Sequence, residues 1–188
     1  TNIVNDTVEL SKVHSNQAET INTPINILHK IGGIIDVFKE KAKSKNIELV
    51  LEPKEINSDV IIISDAHKLE RILWHLADNA IKFTYSGKIT IKVEYLNKEH
   101  IQICVEDTGI GISADAQEII FDAFRQAEMA NNRTFGGSGL GLSLAKGYTE
   151  LLNGKIWLES EVDKGTKIFI SLPVIEEKQL EEISTESD

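Results

Sequence analysis

The 188 residues suffice for one good-sized domain with appendages and are too few for two full hydrophobic cores. A formal net charge of -10 excludes a general nucleic-acid binder, which needs a basic face; a small anionic ligand remains open, because a local cluster of Lys, Arg and backbone N–H groups can outweigh the global field. The one cysteine, Cys104, excludes an internal disulfide and suits a reducing compartment, no apolar run approaches the ~18 residues of a membrane span, and no signal peptide is expected within these residues.

In chain order, Ile3, Val4, Val8, Leu10 and Val13 fall at helical spacing and read as the end of a longer helix over residues 1–13. Residues 14–24 are polar and read as a linker. Pro24 is expected to start a second helix, because its missing N–H costs nothing there. Ile27, Leu28, Ile31, Ile34, Ile35 and Phe38 give that helix an apolar face up to a lysine-rich end at Lys45. Gly32 and Gly33 weaken it and are expected to mark close packing. Ile47–Glu52 reads as a strand and Val60–Ser64 as another extended piece. Asp65 looks like the N-cap of a long helix running to Phe83. "KITIKVEYL" and "HIQICVED" alternate with period two and form an antiparallel hairpin. "SADAQEIIFDAF" is a short helix, "NNRTFGGSGLG" a glycine-rich loop, and a helix follows from about Leu140 to Leu152, ended by Asn153–Gly154. "KIWLESE" and "TKIFISLPV" close the domain as two strands. The acidic stretch 176–188 reads as a disordered tail or linker. The expected fold is α+β: a two-layer sandwich of a mixed, mainly antiparallel sheet with helices on one face.

Three stretches carry chemistry. On the helix "LERILWHLADNAIKFT", Ile72, Leu73, Leu76, Ala80 and Phe83 make the core face, and His75, Asn79 and Lys82 share another. An amide oxygen at Asn79 would suit a hard cation such as Mg²⁺, and Lys82, one turn on, would meet a phosphate. The competing reading is a solvated stripe. In "VEDTGIGIS", Asp107 ends an apolar strand, where a carboxylate needs a partner such as an adenine amino group. Gly109 and Gly111 would let a flat ring approach the backbone; a plain turn is the alternative. In "GGSGLGLSLAKGY", Gly137, Gly139 and Gly141 lead into an amphipathic helix whose free N–H groups make an anion site. The P-loop ending is absent, and so is the strand–glycine–helix order of the dinucleotide fingerprint.

Together and in this order these stretches resemble the histidine-kinase branch of the GHKL ATP-binding superfamily. The matching pieces are "HLADNAIKFT", "VEDTGIGI", "IFDAFRQAE", "GGSGLGLSLAKGY" and the closing strands, over about Ile25 to Pro173. The resemblance implies that Asn79 holds Mg²⁺ against the phosphates of ATP, Lys82 contacts phosphate and Phe83 lines the base pocket. It implies Asp107 as acceptor for the adenine amino group with Gly109 and Gly111 beside the ring, Ile112 and Leu142 as apolar walls, and Thr166 near the Asp107–adenine pair. Gly137, Gly139, Leu140 and Gly141 would wrap the phosphates. Residues from about Ser113 to Gly136 would form a lid anchored by Phe121 and Phe124, with Arg125 and Arg133 as candidates to reach the γ-phosphate.

The implied activity is phosphoryl transfer from Mg-ATP to a histidine. Residues 1–13 would end the second helix of a dimerisation and phosphoacceptor domain, 25–175 would be the catalytic domain, and the full protein is expected to be a homodimer. Implied partners are that dimerisation domain and a response regulator or receiver domain; the "FRQAE" and "GGSGLGL" wording is similar to hybrid kinases. The catalytic part is expected in the cytoplasm, whether or not the full-length protein is anchored in the inner membrane. Two departures stand out. His75 occupies a position where the kinase branch usually has Asn and hydrolytic relatives a glutamate base. None of His14, His29, His67, His75 and His100 is followed by an acidic residue, so the phosphoacceptor is expected outside this stretch. The alternatives are a regulatory nucleotide-binding module without catalysis and a GHKL ATPase.

Overall fold

One row of side chains crosses four strands and sets the geometry of everything below it: Ile89, Asp107, Thr166 and Ser160 lie side by side on the helix-facing side of a sheet. The computed structural model describes residues 3–15, 17–54, 56, 60–124 and 138–174. The strands are β2 (Ile47–Lys54), β4 (Gly87–Tyr95), β5 (His100–Asp107), β6 (Lys155–Glu161) and β7 (Gly165–Pro173), in the order β2-β4-β5-β7-β6. Only β2 and β4 run parallel; the other neighbours are antiparallel. Alternation decides the faces. Ile91, Val105 and Ile168, and beyond them Val93, Ile103 and Ile170, point into the core and are buried. On the other face, Lys92 and Lys167 flank Glu106.

Three helices cover the apolar face: α2 (Ile27–Ser44), α3 (Ala66–Phe83) and α5 (Gly141–Leu151). α3 lies between the other two, and Leu69, Ile72, Leu73, Leu76 and Ile81 are fully buried. The expected two-layer α+β architecture is therefore present. Asp65 caps α3, accepting the N–H groups of His67 and Lys68 at 3.0 and 2.9 Å. The far end is capped by a long-range contact: the Lys45 ammonium donates to the carbonyls of Ile81, Lys82 and Thr84 at 2.6, 3.2 and 3.1 Å. Carbonyls at a helix C-terminus need donors from outside the helix, and the lysine supplies one where α3 ends at Phe83.

A further helix, α1 (Ile3–His14), packs on α5 through Leu10 and Val13. Arg71 of α3 pairs with the buried Asp6 at 2.6 Å, and Tyr148 donates to Glu9 at 2.5 Å. A charged group on α1 is thus matched to one on the domain, which fixes how the helix sits.

Four local expectations are corrected. Pro24 lies in a strand, β1 (Asn22–Asn26), which pairs with β3 (Ile61–Asp65) as a separate ribbon. α2 begins at Ile27 because the Asn26 side chain accepts the His29 N–H at 2.9 Å. The helix after Ser113 is only four residues, α4 (Ala114–Gln117), and Phe124, expected to anchor a lid, is 65% exposed with φ +62°. Gly32 and Gly33 are not close-packing positions, since nothing lies within 4 Å of a Cβ placed on either.

Candidate functional site

A cavity of about 550 Å³, partly open to solvent, lies between the sheet and the helices α3 and α5. α3 contributes Leu76, Asn79, Ala80 and Phe83, one face of two helical turns. β5 contributes Val105 and Asp107, and the turn after it Ile110, Gly111 and Ile112. Ile120 closes one side, Leu142 of α5 another, and Thr166 and Ile168 of β7 complete the wall. Apart from Asn79, Asp107 and Thr166 the side chains are apolar, a composition suited to a flat, poorly hydrated ring fixed by a few polar contacts.

Asp107 is the group under electrostatic stress. Burial pushes its carboxyl up from the ordinary 3.8 to about 6, against the pull of hydrogen bonds from the Gly109 and Thr166 backbone N–H groups; the Glu106 charge adds to the rise. The Gly109 N–H donates to Oδ1 at 2.8 Å. The carboxylate is oriented by its own turn but faces a cavity that no cation lines among the described residues, so a ligand N–H would relieve it.

The glycines of this turn answer first to the protein. A Cβ on Gly109 would lie 2.5 Å from the Phe83 carbonyl oxygen, and one on Gly111, at φ +69°, 2.0 Å from that of Glu161. The Ile110 N–H donates to the Phe83 carbonyl at 3.2 Å and the Asp163 N–H to the Ile110 carbonyl at 2.8 Å. The close approach attributed to a ligand ring is made in the first place by α3 and β6.

α5 begins beside the cavity, which its Leu142 lines. Leu140, in the N-cap place, is buried and offers no side-chain acceptor to the first-turn N–H groups. Gly139 has φ +70°. This is the arrangement a bound anion completes.

Of the residues singled out from sequence, the cavity brings together Asn79, Phe83, Asp107, Gly111, Ile112, Leu142 and Thr166. Gly109 sits beneath the floor, and Gly139, Leu140 and Gly141 stand at the start of α5 beside Leu142. Lys82 is not part of the wall: its ammonium lies 4.8 Å from the centre of the Phe83 ring, and burial lowers its pKa. Gly137, Arg125 and Arg133 lie outside the described residues. His75 does not share a solvated stripe with Asn79. It is buried with its Nδ1 against Gly141, where an added Cβ would come within 3.1 Å, and burial, then the Arg71 charge, lowers its pKa to about 4. It is neutral and off the cavity wall, a poor place for a base acting on water.

Sequence reasoning missed Leu76, Val105, Ile110, Ile120 and Ile168. Three of these were within reach of periodicity: Leu76 lies three residues before Asn79 on one helix face, and Val105 and Ile168 lie two residues from Asp107 and Thr166 on their strands. It also missed Ser160 and Gln117, which hold the floor from outside the cavity. Ser160 Oγ accepts the Ile112 N–H at 2.8 Å, and the Gln117 amide donates to the carbonyls of Ile112 and Ser160 at 2.8 and 2.9 Å.

An α+β sandwich whose apolar cavity is lined by a strand-end carboxylate and by the first turn of a helix without a side-chain cap is the form of a GHKL-type nucleotide-binding domain. Residues 64–176 match the family described as Histidine kinase-, DNA gyrase B-, and HSP90-like ATPase, and the chain belongs to it. Its relatives are sensor kinases. It is 32% identical over 188 residues to the autoinducer 2 sensor kinase/phosphatase LuxQ of Vibrio vulnificus, covering 97% of this chain and 22% of that protein. It is 33% identical over 174 residues to the sensor protein GacS of Pseudomonas syringae pv. syringae, covering 90% of this chain and 19% of that protein. The chain thus spans about a fifth of the length of these relatives. Among solved structures, full-length ShkA in complex with AMPPNP superimposes with a TM-score of 0.81 at 25% identity, over 92% of this chain and 35% of that one. The nucleotide-free catalytic domain of histidine kinase ThkA gives 0.71 at 28% identity, over 82% of this chain and 96% of that one.

Proposed function

We propose that this chain is the ATP-binding catalytic unit of a two-component sensor histidine kinase, and that the cavity under Asp107 holds the adenine of ATP. The observation that carries the reading is the buried carboxylate of Asp107, its pKa raised, in the wall of an apolar cavity that Leu142, in the first turn of α5, also lines, with no side-chain cap on that helix. Ionised Asp107 accepts the adenine amino hydrogen. Phe83, Ile112 and Leu142 exclude water from the ring faces, and the N–H groups that open α5 take the phosphates. Among the described residues no cluster of three His, Cys, Asp or Glu side chains offers a metal site, so Asn79 would give Mg²⁺ one oxygen while phosphates and water give the rest. Bound there, the ion would neutralise charge on the phosphates during transfer.

The acceptor would be a histidine on the dimerisation domain to which α1 leads, with a response regulator or receiver domain next in line. The exposed Ile3, Val4 and Val8 on α1 suit a helix that continues into a homodimer. No described helix is long and apolar enough to cross a membrane. Titration calorimetry with ATP and its non-hydrolysable analogue, with and without Mg²⁺, tests the site; Asn79→Ala should abolish the Mg²⁺-dependent part of the affinity. Acid-labile label passing from γ-labelled ATP to a separately made dimerisation domain tests the transfer. Binding without transfer would favour the regulatory module.

A further inference from the structure

Arg71, His75 and Asn79 follow one another at intervals of four along α3 and share a stripe of that helix, yet each meets a different neighbour. Arg71 pairs with Asp6 of α1 at 2.6 Å. Asn79 lines the cavity. His75, between them, is 5% exposed and lies against the first residue of α5: a Cβ on Gly141 would come 3.1 Å from its Nδ1 and 3.6 Å from its Cγ. Gly141 is not in the left-handed region, so the backbone conformation does not demand glycine there; the imidazole does. Among the described residues, the buried His75 Nε2 has no hydrogen-bond partner. A histidine kept for its hydrogen bonds would not leave a nitrogen orphaned in the interior, where the loss is costly. What remains for this side chain to contribute is the shape of its ring.

We propose that His75 is a positioning residue: its imidazole seats the first turn of α5 and thereby sets where the N–H groups of that turn meet the phosphates of ATP. This rests on the cavity being the nucleotide site. His75 touches neither ligand nor metal ion in this role; it acts through Gly141. α5 has no side-chain cap at its start, so the place of its first turn is set by what it packs against. The seat itself is firm, because α3 is tied to α1 through Arg71 and capped at its far end by Lys45. A second glycine of α5 follows the same rule: a Cβ on Gly147 would come 2.6 Å from Val13 Cγ1 of α1. The helix that receives the phosphates is thus packed through bare backbone onto α3 at its first residue and onto α1 six residues further on. Removing the ring leaves a space into which the first turn settles, away from the phosphates.

The test compares ATP with adenosine, which fills the base end of the pocket and offers α5 no phosphate, by titration calorimetry and chemical-shift titration on the whole chain. His75→Ala should weaken ATP about tenfold, the worth of one charge-assisted hydrogen bond, and leave adenosine within about twofold. The loss should be the same with and without Mg²⁺, since the seat does not act through the ion. His75→Phe keeps a flat ring and removes both nitrogens, so it should hold the wild-type ratio of ATP to adenosine affinity. Gly141→Ala should weaken ATP in the wild-type background, where the methyl meets the imidazole, and cause no further loss in the His75→Ala background, where the ring is gone. That cycle decides the matter should the phenylalanine variant fail to fold. A His75→Phe protein that loses ATP as His75→Ala does would show that a ring nitrogen is used, and overturns the proposal. So do equal losses for ATP and adenosine, a loss seen only with Mg²⁺, or additive losses in the double variant. Wild type that binds neither ATP nor adenosine overturns the pocket assignment itself.

Discussion

Two aspartates close strands of this molecule, and they have opposite fates. Asp65, at the end of β3, is surrounded by donors: the N–H groups of Ile21, His67 and Lys68, and the Lys68 ammonium at 2.7 Å. Burial alone would raise its carboxyl, but the Ile21 and Lys68 hydrogen bonds overcome this and hold it at about 2. Asp107, at the end of β5, has two backbone donors and borders an apolar cavity, and burial wins, lifting it to about 6. Residue type and position are the same; the number of partners differs. A satisfied carboxylate holds the fold together, whereas one left short by the fold is available to a ligand.

The sharpest way to separate the two is by substitution. Asp107→Asn should cost on the order of 100-fold in ATP affinity, because it removes a charge-assisted hydrogen bond and turns an acceptor into a donor. The same change should leave thermal stability intact or raise it, since a buried charge is removed. Asp65→Ala should do the reverse. It removes the α3 cap and strands the Ile21 N–H, lowering stability by about 2 kcal/mol in denaturant titrations, with nucleotide affinity preserved in the folded fraction. Loss of binding in the Asp65 variant at full stability would erase the distinction.

Titration gives the next largest effect. Asp107 must be ionised to accept, so ATP affinity should fall about tenfold per pH unit below about 6 and level off above it. The stability signs are opposite for the two groups. The raised Asp107 carboxyl stabilises the ligand-free fold below its ordinary 3.8, and that share is lost as pH rises through about 6. The lowered Asp65 carboxyl contributes above its ordinary 3.8, and its share is lost as pH falls through about 2. The difference in melting temperature between wild type and Asp107→Asn should therefore grow from pH 4 to pH 7. The smallest effect is a control far from both sites. Gly32→Ala and Gly33→Ala place a methyl in open space on α2 and should add about 0.5–1 kcal/mol each without changing nucleotide affinity.

Much of this was readable from local pattern. The α3 helix and its Asp65 cap, the β4–β5 hairpin and the closing strands follow from period and capping chemistry, which are properties of neighbours in sequence. Pro24 misled because its preference for a first helical turn is local, while the pairing of β1 with β3 is set by residues about forty positions away. The Lys45 cap on α3 and the Arg71–Asp6 pair were hidden for the same reason. Within the site, side chains that announce chemistry by type were legible: Asn79, Asp107 and Thr166. The Ser160 hydroxyl was not, because a serine on an exposed-looking strand carries no signal until its partners are located. Gly111 lines the cavity, but what forbids a side chain there is already present in the fold: Glu161, fifty residues on.

The placement of ATP under Asp107 is tested most directly by amide chemical-shift mapping with a non-hydrolysable ATP analogue. The largest shifts should fall on Gly109, Gly111, Ile112 and Thr166 around the ring and on Gly141 and Leu142 at the start of α5, and Asp107→Asn should abolish them at matched concentration. Shifts clustered on another face, or a pattern that survives Asp107→Asn unchanged, would contradict it.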